Sequence, residues 1–354
     1  MKPDISVIMS VYNGETYLAE AIESVRNQTF GNWELVIIND CSTDSTAEIL
    51  ADFSLRDARI KVHTNEVNLR LPTSLNKAIS LSSGKYIARM DADDICLPDR
   101  LERQYQFMED NPDIALSSCR FMTLKNGVYA SGGAGGRCDS KALQAMLLVA
   151  NPILHPGVIA KAEVMKKFLY DTTLTCTEDL ELWTRMAGEH QKLWILPECL
   201  LLYRLHDKQI TSTTLERQHT EVLKIQQKYY KKLLEEMEPA MQDFYISGIY
   251  FKENAEIHKF LEYAKWLRNK SNRSFDKDTI NYALLEILAE YKRCGISKSD
   301  VLKAMLTFPP CFLVKEIIRR KKAAKEDIIK CRKVATKIGL KQTAGTEAFP
   351  VFEK

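Results

Sequence analysis

The chain has 354 residues, of which 45% are hydrophobic and 27% charged, with a net charge of +3. That is enough chain for two domains with sizeable cores. No run of about 18 apolar residues occurs, and nine cysteines are scattered without a C-x-x-C pair, which excludes a membrane span, a disulfide framework and a zinc knuckle as expectations.

The first residues, Met1-Lys-Pro-Asp4, run directly into the apolar Ile5–Met9, so a strand is expected there and a signal peptide is not. Leu18, Ala21, Ile22 and Val25 then recur at helical spacing. Residues 34–38 form a second apolar strand. Ser45-Thr-Ala-Glu48 has the spacing of a capping box and predicts a helix ending near Phe53. Ile60–His63 is a third strand, Thr73–Ser82 a helix ended by Gly84, and Lys85–Met90 a fourth strand. This alternation predicts an α/β fold with a parallel sheet covered on both faces. Ligands of such sheets bind at the carboxyl ends of the strands. Ser10-Val-Tyr-Asn13, Asn39-Asp40 and Asp91-Ala-Asp-Asp94 all fall on that edge.

A Pro98-initiated helix, a strand over 114–118 and the glycine-rich stretch 132–136 follow. A helix over 178–189 and a last strand over 200–205 come next, with Trp183 and Trp194 expected in the core. From about residue 214 the pattern turns helical, over 215–237, 244–268, 278–292, 298–306 and 312–337. The expected division is therefore 1–213 and 214–354. Residues 315–341 carry eleven Lys/Arg against three acids, a net of +8 that leaves −5 for the remainder. The last helix mixes these cations with Phe312, Leu313, Ile317, Ile318, Ile328, Ile329 and Val334. It can lie on an anionic membrane surface or pack its apolar stripe internally.

Asp91, Asp93 and Asp94 put three carboxylates at one strand end, where they repel unless a cation or donors neutralise them. Asp91 and Asp93, at alternate positions, face one way. A hard divalent cation on a diphosphate would satisfy them; a solvated loop capping the next helix is the plainer alternative.

At these residues the sequence resembles the inverting GT-A glycosyltransferases of family 2. The matching stretches are 6–14, 38–44, 84–95, 97–101, 151–156, 177–183 and 203–206, in the family's order. The layout of 69–81 and of Tyr203-Arg-Leu-His206 looks most like bacterial β-1,3-type transferases of surface glycans. The resemblance implies a Rossmann-like GT-A domain followed by a helical C-terminal region, and roles to go with it. Ser10 and Tyr12 would line the base pocket, Asp40 would accept from the base N–H, and Asp91 would hold the ribose or approach the metal. Asp93 and His206 would bind Mn²⁺ or Mg²⁺ on the diphosphate of a UDP-sugar. Asp179 would be the catalytic base, with Glu178 and His155 toward the acceptor. Arg70 would reach the base or a phosphate from a loop where relatives carry a nearby glycine. The implied partners are the nucleotide-sugar donor, a glycan or lipid-linked glycan acceptor and an anionic membrane surface met through 312–337. No nucleic-acid partner is expected, and the implied location is cytoplasmic, peripheral on the inner face of the membrane. Two alternatives remain at this stage. A sugar-nucleotide pyrophosphorylase would need a glycine-rich basic signature after the first strand, where Ser10-Val-Tyr-Asn-Gly14 stands. A non-catalytic membrane scaffold would bind liposomes without metal-dependent UDP affinity.

Overall fold

The computed structural model describes residues 2–126, 128–131, 139–147, 150–206, 215–229, 245, 256–269, 277–293, 296–318 and 341–342. Two compact units emerge. One contains residues 1–135, 153–214 and 323–354; the other contains 136–152 and 215–322.

The first unit is built on one sheet. Strands β1 (Ile5–Val11), β2 (Trp33–Asn39), β3 (Ile60–Thr64) and β4 (Tyr86–Arg89) pair in parallel in the order β3-β2-β1-β4. All seven residues of β2 are buried, as are Ile5, Val7, Ile8, Met9 and Val11 of β1. Each such side chain is worth about 1.5–3 kcal/mol when removed from water, so these strands anchor the core. Helices α1 (Leu18–Arg26), α2 (Thr46–Arg56) and α3 (Arg70–Leu81) connect them. Leu18, Ala21, Ile22 and Val25 form the buried stripe of α1, as their spacing predicts.

Beyond β4 the sheet is mixed rather than parallel throughout. The two-residue β5 (Ile95–Cys96) leads to α4 (Arg100–Asp110), whose N-cap is Asp99, and to the long β6 (Ile114–Lys125). Strand β7 (Val128–Ser131) hairpins back on β6, and the short β10 (Lys341–Gln342) pairs beside β7. Strand β8 (Ile159–Lys161) lies antiparallel between β4 and β6. Helices α6 (Ala162–Phe168) and α7 (Glu178–Gly188) precede β9 (Lys192–Arg204). Strand β9 runs parallel to β6 through several register irregularities and antiparallel to β5. Periodicity shows only its apolar end, because Lys192–Glu198 mixes exposed and buried positions.

Two local expectations are corrected. Ser45 makes no side-chain cap bond; Asp44 does that work, its Oδ1 accepting from the Thr46 N–H at 3.0 Å and its Oδ2 from the Glu15 N–H at 3.1 Å. Helix α3 begins at Arg70, three residues earlier than expected, because Pro72 is tolerated in a first helical turn. Trp183 is fully buried, whereas Trp194 is half-buried against Phe107.

The second unit holds α5 (Ser140–Leu147) and helices over Leu215–Tyr229, Ile257–Asn269, Lys277–Arg293, Lys298–Met305 and 310–318. Its core is aromatic and aliphatic: Tyr245, Phe260, Tyr263, Leu284, Tyr291 and Phe308 are buried together. The remainder of the expected 215–237, 244–268 and 312–337 helices, and the 132–136 stretch, lies outside the described residues. No helix among the described residues is long and apolar enough to cross a membrane.

Candidate active site

Backbone in the left-handed region recurs at the carboxyl edge of β1–β4. Asn13, Cys41 and Arg70 all take positive φ, at 52°, 63° and 67°. Left-handed backbone is tolerated by Asn but costs other residues energy, and such outliers cluster at functional sites. The turns after β1 and β2 are clasped together. The Asn13 side chain accepts from the Thr43 N–H at 2.8 Å, and the Gly14 N–H donates to Thr46 Oγ1 at 2.9 Å. Asp40 is buried at the end of β2, and its Oδ1 accepts from Asn65 Nδ2 at 2.7 Å and from the Leu69 N–H at 2.8 Å. One carboxylate oxygen thereby pulls the β3–α3 loop onto the sheet edge. Tyr12 is 53% exposed beside this loop pair, and Ser10 is half-buried on β1.

The acidic cluster follows β4. One oxygen each of Asp91, Asp93 and Asp94 lie within 4.8 Å of one another. Burial, together with the charges of Asp93 and Asp179, pushes the Asp91 carboxyl above the usual carboxylate range, against the opposing pull of Arg89. Burial, reinforced by Asp93 and Asp91, pushes Asp94 up further. Asp94 is fully buried; its Oδ1 accepts from the Arg204 N–H at 2.9 Å, and its Oδ2 is enclosed without a hydrogen-bond partner.

His206 completes the group from the far end of the unit. Its Nε2 lies 2.9 Å from Asp93 Oδ2 across a separation of 113 residues. Strand β9 makes this contact, because β5 pairs with it two residues after Asp93. Arg204 fixes the register: its Nε donates to the Asp93 carbonyl at 2.7 Å, and its Nη2 pairs with Glu20. Its guanidinium lies 4.5 Å over the Tyr17 ring, and the same ring lies 5.2 Å from the His206 imidazole.

These residues fit a divalent cation. Two ligands at neighbouring corners of an octahedron with arms of about 2.1 Å lie about 3.0 Å apart. The spacing of His206 and Asp93 is that of such a pair. An oxygen and imidazole donor set suits Mn²⁺ as well as Mg²⁺, and carboxyls that resist ionisation unaided are ones a cation stabilises.

Asp179 stands in the first turn of α7, with its Oδ1 accepting from the Leu180 N–H at 2.7 Å. Its charge adds to the upward shift of the Asp91 carboxyl and of the Tyr170 hydroxyl, behind burial in both cases. The two residues assigned to the acceptor side are interior. Glu178 is 5% exposed and His155 is 9% exposed. His155 Nε2 is engaged by the Tyr170 hydroxyl at 2.7 Å, and its ring meets Trp183 edge-on. Burial, then the charge of Arg89, holds its imidazole well below the usual range, so it is neutral at ordinary pH. Arg70 is exposed at the start of α3, its N–H donating to Asn68 Oδ1 at 3.1 Å.

Sequence reasoning passed over three contributors. Arg89 is buried below the cluster and pairs through Nη1 with Asp91 Oδ2. Arg204 and Asp94 lie inside the quoted motifs but received no role. A cation at the end of an apolar strand, two residues before an acid, was the available signal for Arg89.

An open α/β sheet with an acidic cluster, a clasped loop pair and a strand-borne histidine on its carboxyl edge is the GT-A glycosyltransferase arrangement. Residues 6–162 match the family described as glycosyl transferase family 2. An uncharacterized glycosyltransferase of Haemophilus influenzae is 32% identical over 296 residues, covering 80% of this chain and 90% of that protein. The O-antigen biosynthesis glycosyltransferase WbnJ of Escherichia coli is 33% identical over 216 residues, covering 60% and 83%. Among solved structures, S. aureus TarS 1–349 in complex with UDP superposes with a TM-score of 0.54 at 17% identity, covering 82% of this chain and 89% of that one. The chain belongs to glycosyl transferase family 2. It is a glycosyltransferase, which sets aside the pyrophosphorylase and scaffold alternatives.

Proposed function

We propose that the protein transfers a hexose or N-acetylhexosamine from a UDP-sugar to a hydroxyl of a growing surface glycan, with inversion at the anomeric carbon. The observation that carries this reading is the meeting of Asp93 and His206 at 2.9 Å within the carboxylate cluster of Asp91, Asp93 and Asp94. The chemistry belongs to the unit that holds residues 1–135 and 153–214, and the unit of 136–152 and 215–322 is helical in its described residues.

Tyr12 and Ser10 line the base side, and Asp40 Oδ2, which takes neither bond from Asn65 nor from Leu69, accepts from the base N–H. Asp91, held by Arg89, addresses the ribose. Asp93 and His206 would hold Mn²⁺ or Mg²⁺, which supplies Lewis-acid stabilisation of the departing diphosphate. Asp179 removes the acceptor hydroxyl proton while that oxygen attacks the anomeric carbon opposite the bond to UDP. The bond to the diphosphate oxygen breaks, UDP leaves with the electron pair, and Asp179 keeps the proton.

A surface-glycan acceptor is supported by the likeness to an O-antigen enzyme. A lipid-linked acceptor would place the protein at the inner face of a membrane, with 312–337 toward an anionic surface; residues 319–337 lie outside the described structure. The test is transfer and hydrolysis with UDP-Gal, UDP-GlcNAc and UDP-Glc in the presence of Mn²⁺. Turnover of one of these, lost in both Asp93→Ala and Asp179→Asn, is expected. Full transfer by both variants overturns the mechanism.

A further inference from the structure

The helical unit has an outward face of unusual composition. Its last two helices, Lys298–Met305 and 310–318, turn Val301, Ala304, Phe308 and Phe312 into the core, with the two phenyl rings stacked. On the opposite side Leu302, Leu306, Val314, Ile317 and Ile318 are 59%, 77%, 56%, 41% and 63% exposed. The positions pair one helical turn apart, 302 with 306 and 314 with 317 and 318, so each set forms a stripe. Lys303 and Lys315 are the exposed charges among them, and the one acid between 301 and 318, Glu316, is buried. Arg319-Arg-Lys-Lys322 follows in sequence.

Beside this face lies a cation with no carboxylate in reach among the described residues. Arg268 donates from Nε to Asn281 Oδ1 at 2.7 Å, and its Nη1 is 3.5 Å from Thr307 Oγ1. Its guanidinium sits 4.7 Å over the Phe308 ring, and Nη2 is enclosed without a partner. With Leu261, exposed Lys265, Asn269 and Thr307 it lines a cleft of about 390 Å³. Thr307 directly follows Leu306, so the cleft opens next to the apolar face. An Arg–Lys pair is a natural seat for phosphate oxygens. Soluble proteins seldom leave aliphatic side chains of this size grouped in water.

We infer that this surface docks on a bilayer containing anionic phospholipid. Leu302, Leu306, Val314, Ile317 and Ile318 enter the headgroup–acyl boundary, and a lipid phosphate sits against Arg268 and Lys265. The inference rests on the peripheral membrane reading above, but it assigns the contact to 302–318 and Arg268 rather than to the basic tail alone. Sedimentation of the full-length protein with vesicles tests it, using phosphatidylcholine alone or mixed with about a third phosphatidylglycerol. Binding to the mixed vesicles is expected, weakened about tenfold or more in Leu306→Asp/Ile318→Asp and severalfold in Lys265→Glu. All three substituted positions are exposed, so the fold should persist, and metal-dependent hydrolysis of UDP-sugar in solution provides the check. Unchanged vesicle binding by the variants overturns the inference and leaves the tail as the membrane contact. No binding by the unsubstituted protein overturns both. A dimer that becomes monomeric in the double variant, with vesicles ignored, would make the face a self-association surface and likewise overturn it. Loss of hydrolysis in the unsubstituted protein would fault the transferase reading alone.

Discussion

His206 Nε2 and Asp93 Oδ2 stand 2.9 Å apart, brought together across 113 residues of sequence by the pairing of β5 with β9. The same spacing suits neighbouring ligands of one cation. Replacing either by Ala should weaken Mn²⁺-dependent UDP affinity by about 100-fold or more, since ligand loss must exceed the 10–100-fold typical of outer-shell partners. The double variant should be little worse than either single one, because both side chains serve one ion. Calorimetric titration of UDP with and without Mn²⁺ reads this directly. Additive losses would mean that the two residues act separately.

Asp179 is the second residue of α7, where its backbone role and its chemical role can be separated. Asn at 179 keeps an oxygen for the Leu180 N–H, so the helix start should survive. It cannot take a proton. Transfer should fall by about 10²–10⁴ in kcat with UDP affinity unchanged. Single-turnover transfer beside UDP titration measures the split, and a matching loss of UDP affinity would place Asp179 in donor binding instead.

At the other edge of the sheet, Glu34 predicts the acid limit of the fold. Its Oε1 accepts from Ser6 Oγ at 2.6 Å, the Ser83 N–H at 2.8 Å and Ser83 Oγ at 2.8 Å, while Lys61 Nζ lies 2.5 Å from Oε2. Burial alone would raise its pKa, but the bonds from Lys61, Ser6 and Ser83 prevail and hold it at about 2, against an ordinary 4.5. The folded carboxyl therefore releases its proton more readily than the unfolded one. Its stabilisation is complete above about 4.5 and is lost as the pH falls towards about 2. The amount at stake is roughly 2–3 kcal/mol, discounted for the half-exposed Lys61. Urea unfolding between these pH values should show that decline, and Glu34→Gln should both lower stability at pH 7 and flatten the slope.

The parallel half of the sheet was legible because β1, β2 and β4 are apolar runs of strand length and α1 carries a clean stripe. The acidic edge followed from chain direction alone. Strand β9 was legible only at its end, since its first half is irregularly paired with β6 and alternates poorly. The burial of His155 was not legible, because a histidine before a proline reads as a loop residue and nothing local announces its contact with the Tyr170 hydroxyl. Arg204 stood within a recognised motif, yet its function depends on Asp93, Asp94 and Glu20, which only the fold assembles.

Arg204 offers the sharpest separation of positioning from ligation. Its Nε holds the Asp93 carbonyl, its backbone N–H holds Asp94 Oδ1, and Glu20 and the Tyr17 ring keep the guanidinium in place. Substitution by Lys keeps the charge but loses the fork that reaches two partners at once. The backbone bond to Asp94 survives any side-chain change, so the loop should stay folded while the aim of Asp93 loosens. Arg204→Lys should then lower Mn²⁺ affinity by about 10–100-fold, as outer-shell losses do, and shift the melting temperature only slightly. Arg204→Ala should do the same with a larger stability loss, because the stacking on Tyr17 also goes. Metal titration followed by melting of each variant tests the order. If Arg204→Lys binds Mn²⁺ as tightly as the unsubstituted protein, the guanidinium is packing on Tyr17 and does not set the geometry of Asp93.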